Sequence, residues 1–161
     1  AIASRTNPAA PFRTPPMNER TFQFRLHSQP TGSEPAATCL HLERLSETGE
    51  WEPLVPALST PGFRLYLSAM LICLHYHLVA EAREQGLPLC GVEGRFSATT
   101  ADDWSLTQVS GAFQLQLAQG RDAGTAGTEI VARIRERMLN CPVLRNLDAS
   151  VPRSLELELV G

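Results

Sequence analysis

Residues 65–80 read LYLSAMLICLHYHLVA. The run is apolar apart from Ser68, His75 and His77, and it carries no charge over its 16 residues. A membrane-spanning helix needs about 20 mostly apolar residues, so the run reads as a buried core helix. Upstream, 59–62 is STPG, with Thr60 as the expected N-cap and Pro61 as the first helical residue, where a missing N–H costs nothing. Downstream, Glu81, Arg83, Glu84 and Gln85 crowd the exit, and Gly86 followed by Pro88 is a stop near Gln85. A helix without a polar side through its middle must be enclosed, so it threads the centre of a small protein or of a dimer.

The segments around this helix read as strands. Phe22, Phe24 and Leu26 alternate with polar residues, 38–45 follows a turn-rich loop at 31–35, and 51–56 is a short edge strand broken by prolines. Beyond the helix, 89–98 and 104–118 form an expected antiparallel pair joined through 99–103. Val109, Gly111, Phe113, Leu115 and Leu117 mark one face of its second strand, and Gln108, Ser110, Gln114 and Gln116 the other. After a Gly-rich loop at 120–127, a second helix starts at Thr128 with Ile134, Met138 and Cys141 on one face. Pro142 pushes Cys141 out of the helical region. Residues 154–160, SLELELV, alternate leucine inward and glutamate outward. The order β-β-(β)-α-β-β-α-β mixes elements without strict alternation, which is α+β. Residues 1–17, rich in Pro, Ala and Thr, read as a flexible arm, and 18–161 as a single domain.

Composition narrows the function. The chain has 161 residues, is 43% hydrophobic and 19% charged, and carries a net charge of −3. That suits one globular domain and argues against nucleic-acid binding, which needs a strongly positive face. Residues 1–17 lack the apolar core of a signal peptide, so a cytoplasmic protein away from membranes, with reduced thiols, is the expectation. No CxxC, HExxH, GxGxxG, phosphate-loop or GxSxG motif occurs.

The chemistry then rests on Cys73, in the middle of the apolar run, and Cys141, at the end of the second helix. Each alone reads as a small hydrophobe, and as a pair they are either a packing detail or a redox couple. His77 lies four residues beyond Cys73, on the same helical face, where it can draw off a thiol proton. Cys73 and His75 point to different sides of the helix, which disfavours a metal site built from them with His77 or His41. Cys39 and Cys90 read as packing residues in strands, and Arg133, Arg135 and Arg137 as a solvated helix face.

The segments LSAMLIC, EAREQGLPLCGV and RMLNCPVLRNL, followed by an alternating final strand, resemble the OsmC/Ohr family of thiol-dependent hydroperoxide reductases over roughly residues 59–160. The resemblance implies an OsmC-like fold: a small N-terminal β-sheet, then β-β-α-β around a long central helix, in an intertwined homodimer. It also implies reduction of organic hydroperoxides, with Cys73 attacking the peroxide, Cys141 resolving the sulfenic acid as a disulfide, and an external dithiol reducing that disulfide. No metal or organic cofactor is implied. The thiolate-stabilising arginine would come from the N-terminal sheet, as Arg25 or Arg44. One departure stands out. The family carries a glutamate in the first turn of the long helix, and here those positions hold Phe63 and Arg64. Arg64 is itself about 13 Å up the helix from Cys73 by rise alone. The departure keeps a second reading open, a non-catalytic OsmC-fold protein that binds a hydrophobic small molecule at its dimer interface.

Overall fold

The structure is a computed structural model, and it describes residues 19–30, 38–118 and 126–161. The arm expected over 1–17, the loop at 31–35 and the loop from 120 to 125 lie outside the described residues. The elements are β1 (Arg20–Pro30), β2 (Thr38–Leu45), β3 (Trp51–Pro53), α1 (Gly62–Glu84), β4 (Leu89–Thr100), β5 (Leu106–Leu117), α2 (Ala126–Leu139), α3 (Pro142–Arg145) and β6 (Arg153–Val160). The fold is α+β, as the order of segments predicts.

The strands form one sheet in the order β3-β2-β1-β4-β5-β6. The N-terminal strands are therefore part of a larger sheet, because the second edge of β1 pairs with β4 from Arg20↔Thr100 to Ser28↔Val92. All neighbouring strands run antiparallel except β5 and β6, which are parallel. Strand alternation sorts the side chains onto two faces. Phe24, Leu26, Val92, Phe96, Ala98, Val109, Phe113, Leu115 and Leu155 are buried on the inner face. Glutamines, glutamates and arginines occupy the outer one. On the inner face Phe113 lies flat over backbone: a Cβ at Gly94 would sit 2.9 Å from its ring, and one at Gly111 2.8 Å. Only glycine leaves that room.

Against the inner face lies α1, whose buried residues are Leu67, Ser68, Met70, Leu71, Leu74, His75, Leu78, Val79, Ala80 and Ala82. At 23 residues the helix outruns the apolar stretch that marks it. By length and composition it is the one helix among the described residues able to cross a membrane, and its burial against the sheet reads it as a core helix. Its start differs from expectation. Pro61 is the N-cap, with extended backbone, and Gly62 begins the helix. The Thr60 hydroxyl turns back to accept from the Ala57 N–H at 3.0 Å, so it is not free to cap. The stop is as predicted: Gly86 has φ +70°. Its N–H reaches the Arg83 carbonyl and the Leu87 N–H that of Ala82, both at 2.9 Å, the paired closure that glycine permits at a helix end.

α2 begins two residues before Thr128 and packs beside the C-terminal half of α1. Arg137 reaches Glu81 at 2.7 Å and Glu84 at 2.8 Å, and Arg133 reaches Gln85 at 3.5 Å. Numbers rise along one helix as they fall along the other, so the two run antiparallel. The remaining side of α1 is open. Tyr66, Ala69, Ile72 and Tyr76, at helical spacing, are exposed. A single chain thus leaves uncovered a helix expected to be enclosed all round.

Candidate functional site: a thiol pair between two helices

Because α2 runs back along α1, its end carries the chain toward the middle of α1, where Cys73 sits. Cys141 follows α2 with φ −61° and ψ 147°, the extended conformation that Pro142 demands, and becomes the N-cap of α3. The Leu144 N–H donates to its sulfur at 3.5 Å. Cys141 is 1% exposed, whereas Cys73 is half-buried at the edge of the open stripe. The two thiols lie near enough for each to influence the other. Both are free thiols.

The pair is asymmetric. Burial pushes the Cys141 thiol up to about 11; the Leu144 N–H works against that rise, and the neighbouring Cys73 sulfur adds to it. Cys141 therefore remains a neutral thiol at pH 7, and Cys73 is the sulfur that a molecule from outside meets first. Arg153 at the start of β6 fixes this arrangement. It donates to the carbonyls of Leu144 at 2.7 Å and Asp148 at 2.9 Å, tying α3 and the turn after it to the sheet.

The other candidate residues are scattered. Arg25 stands on the outer face of the sheet, away from α1, because it alternates with the buried Phe24 and Leu26. It pairs there with Glu43 and stacks 4.7 Å over Trp51. Arg44 is cross-strand partner to Phe24 and so shares its face, but it pairs with Glu52 on β3 at the sheet edge. Strand parity thus directs Arg25 away from the thiols, and each arginine has a carboxylate of its own. His75 is buried and hydrogen-bonded through Nε2 to the Ser28 hydroxyl at 2.7 Å; burial pushes it down to about 4. His77 is half-buried, and burial and the nearby Arg137 charge hold it below the usual histidine range. Its Nδ1 is shielded from solvent and has no hydrogen-bond partner among the described residues.

Cys39 and Cys90 are both exposed, not packed. Residue 39 falls on the outer face, where its sulfur lies 3.3 Å from His41 Nε2, and the register shift between Leu89 and Gly91 turns Cys90 out of the sheet. Arg137 is likewise no solvated-face residue, since two carboxylates of α1 hold it. Neither Arg137 nor Arg153 is visible as a site residue in sequence, because every partner that defines them lies in another element. Among the described residues no group of three or more His, Cys, Asp or Glu side chains is arranged to hold a metal ion.

The first turn of α1 holds aromatic rings. Phe63 packs edge-on against Phe22 at 5.6 Å and Trp104 at 5.4 Å between centroids, and Arg20 lies 4.5 Å over Trp104. This turn has no carboxylate.

This chain has the fold of the OsmC/Ohr proteins. An OsmC-like hydroperoxide resistance protein from Jannaschia sp. matches with a TM-score of 0.51 and 12% identity, over 79% of this chain and 86% of that one. The OsmC-like protein from Mycoplasma pneumoniae matches with a TM-score of 0.50 and 12% identity, over 92% of this chain and all of that one. No protein-family model matches the sequence, and no curated protein does.

Proposed function

We propose that this chain is a thiol-dependent peroxidase that reduces organic hydroperoxides. The observation that carries the reading is the neighbouring thiol pair, with one sulfur partly accessible and the other buried. The Cys73 thiolate attacks the distal oxygen of the peroxide; the O–O bond breaks, and an alcohol leaves once its oxygen is protonated. Cys73 becomes a sulfenic acid. The Cys141 sulfur then displaces its hydroxyl, which leaves as water, and the disulfide forms. An external dithiol restores both thiols. The apolar surroundings of Cys73, with Ile72 and Tyr76 exposed beside it, favour a peroxide with an apolar body. The same reading makes the working protein a homodimer, with the open stripe of α1 covered by a second copy, as sedimentation would test.

The experiment is peptide mapping after one equivalent of cumene hydroperoxide and rapid thiol blocking. A fast, stoichiometric Cys73–Cys141 disulfide is the expected result. Oxidation no faster than at the exposed Cys39 and Cys90 would remove the peroxidase reading.

One observation favours the second reading, a binding protein without catalysis. The helix turn where the family's carboxylate belongs is filled by Phe63 and its ring partners, which could seat a hydrophobic small molecule. Free thiols surviving the peroxide would support it.

A further inference from the structure

We infer that His77 is the proton carrier of the thiol pair, taking the proton of the attacking thiol and returning it to the leaving oxygen. The inference rests on the peroxidase reading and adds to it the group that manages the proton.

Three observations converge on this residue. The first is position. His77 is four residues beyond Cys73, so the two share a helix face, and its ring stands edge-on to Tyr76 at 5.3 Å between centroids. The second is the unpaired atom. A buried polar nitrogen without a partner costs about 1–3 kcal/mol, and Nδ1 of His77 is in that condition. His75, roughly 200° around the same helix, makes the contrast: its ring nitrogen is satisfied by Ser28 and serves the core. The third is charge. Burial, and after it the Arg137 charge from α2, hold the imidazole below the usual histidine range, which favours the neutral ring as an acceptor. Arg137 is anchored by Glu81 and Glu84, so its place is fixed.

The step balances without a further reagent. The thiol S–H bond of Cys73 breaks as its sulfur bonds to the distal peroxide oxygen, and the proton passes to His77. The O–O bond breaks, the alkoxide takes the proton from His77, and the products are sulfenic acid and alcohol. The sulfur is oxidised and the peroxide reduced by the same two electrons. His77 ends neutral, ready to take the Cys141 proton and deliver it to the departing hydroxyl. That second transfer matters because burial keeps Cys141 protonated.

The test is the rate of Cys73 oxidation by cumene hydroperoxide from pH 4.5 to 9 in the full chain, for the wild type, His77→Gln and Arg137→Gln. The charged and titratable groups around His77 are Arg137 and Cys141 from the α2 side, with Cys73, Tyr76 and Glu81 on its own helix; β4 offers α1 its apolar face. A protonated His77 cannot accept, so the wild-type rate should fall as pH drops below the ordinary histidine range. His77→Gln, which keeps polarity but carries no proton, should slow oxidation about 100-fold and abolish that acid limb. Arg137→Gln should move the limb to higher pH, because the charge depressing His77 is gone. A His77→Gln rate within about threefold of wild type, or an acid limb that survives it, overturns the inference and leaves the peroxidase reading standing. Should His77→Gln fail to fold by circular dichroism, the Arg137→Gln limb decides: displacement supports the inference, and an unmoved limb overturns it. A wild type that forms no disulfide overturns both.

Discussion

The two ends of α1 carry opposite chemistry. Its first turn is aromatic, with Phe63 set among Phe22, Tyr66 and Trp104 and no acidic residue. Its last turns are ionic, with Glu81 and Glu84 clasping Arg137 of α2 and Gln85 meeting Arg133. Cys73 lies between them. Charge that could act on a thiol is therefore supplied from the C-terminal side of the helix, through a second helix, and the N-terminal side supplies apolar surface. The side from which charge approaches the middle of the helix is thus set by the side chains and not by the helix itself.

The largest effect should come from the residue between the two ends. Cys73→Ser should abolish rapid peroxide consumption altogether. Cys141→Ser should leave the first turnover intact but let Cys73 proceed to sulfinic and sulfonic acids, as intact mass would record. Retained turnover in Cys73→Ser would dissolve the comparison, because neither end would then be serving that thiol.

Next in size is an acid effect on folding, set by His75 on the inner side of the helix. Its folded-state value is pushed down to about 4 by burial, while the unfolded chain takes up the proton near pH 6.5. Stability should thus be complete above about pH 6.5 and fall by about 3 kcal/mol on the way to pH 4. Denaturant titrations across that window should show the slope, and His75→Gln should flatten it. A flat wild-type profile would mean that the ring is hydrated and the inner side less dry than its packing indicates.

How far these features can be read from the chain itself depends on where their partners lie. α1 was legible because its signals are local: an uncharged run, an acidic and basic exit, and Gly86 with its positive φ. The faces of β5 were legible for the same reason, since Val109, Phe113 and Leu115 obey the strand period. The joining of β1 to β4 was not, because it pairs residues up to 80 positions apart, as Arg20 with Thr100, and no local pattern encodes that. Thr60 misled because a cap residue and a turn residue look alike until the Ala57 N–H is seen to occupy its hydroxyl. Cys39 and Cys90 misled because strand membership does not state which face is covered. Of the candidate site, both sulfurs could be nominated from sequence. Their adjacency and the anchoring of Arg137 were not, since each depends on how α2 lies against α1.

A smaller effect probes the aromatic end. Phe63→Glu places a carboxylate in the first turn at the expense of ring contacts, and should destabilise by about 2 kcal/mol. Cys73 oxidation should keep its rate, because that end does not reach the thiols. An accelerated reaction would show that the first turn is electrically connected to Cys73 and would reverse the comparison.

The smallest should be Arg137→Met. The pair with Glu84 is open to solvent and that with Glu81 is partly covered, so thermal stability should fall by about 1 kcal/mol while the pH profile of oxidation shifts. A large loss of stability would recast the ionic end as structural cement.

β6 joins the sheet parallel to β5, which obliges the chain to cross over through α2 and α3 before it returns. Arg153 at the start of that strand holds α3 by its carbonyls. The short helix that follows Cys141 is thus held in place by a strand that comes later in the chain. Fraying of β6 would therefore release α3 and, with it, the position of Cys141 beside Cys73.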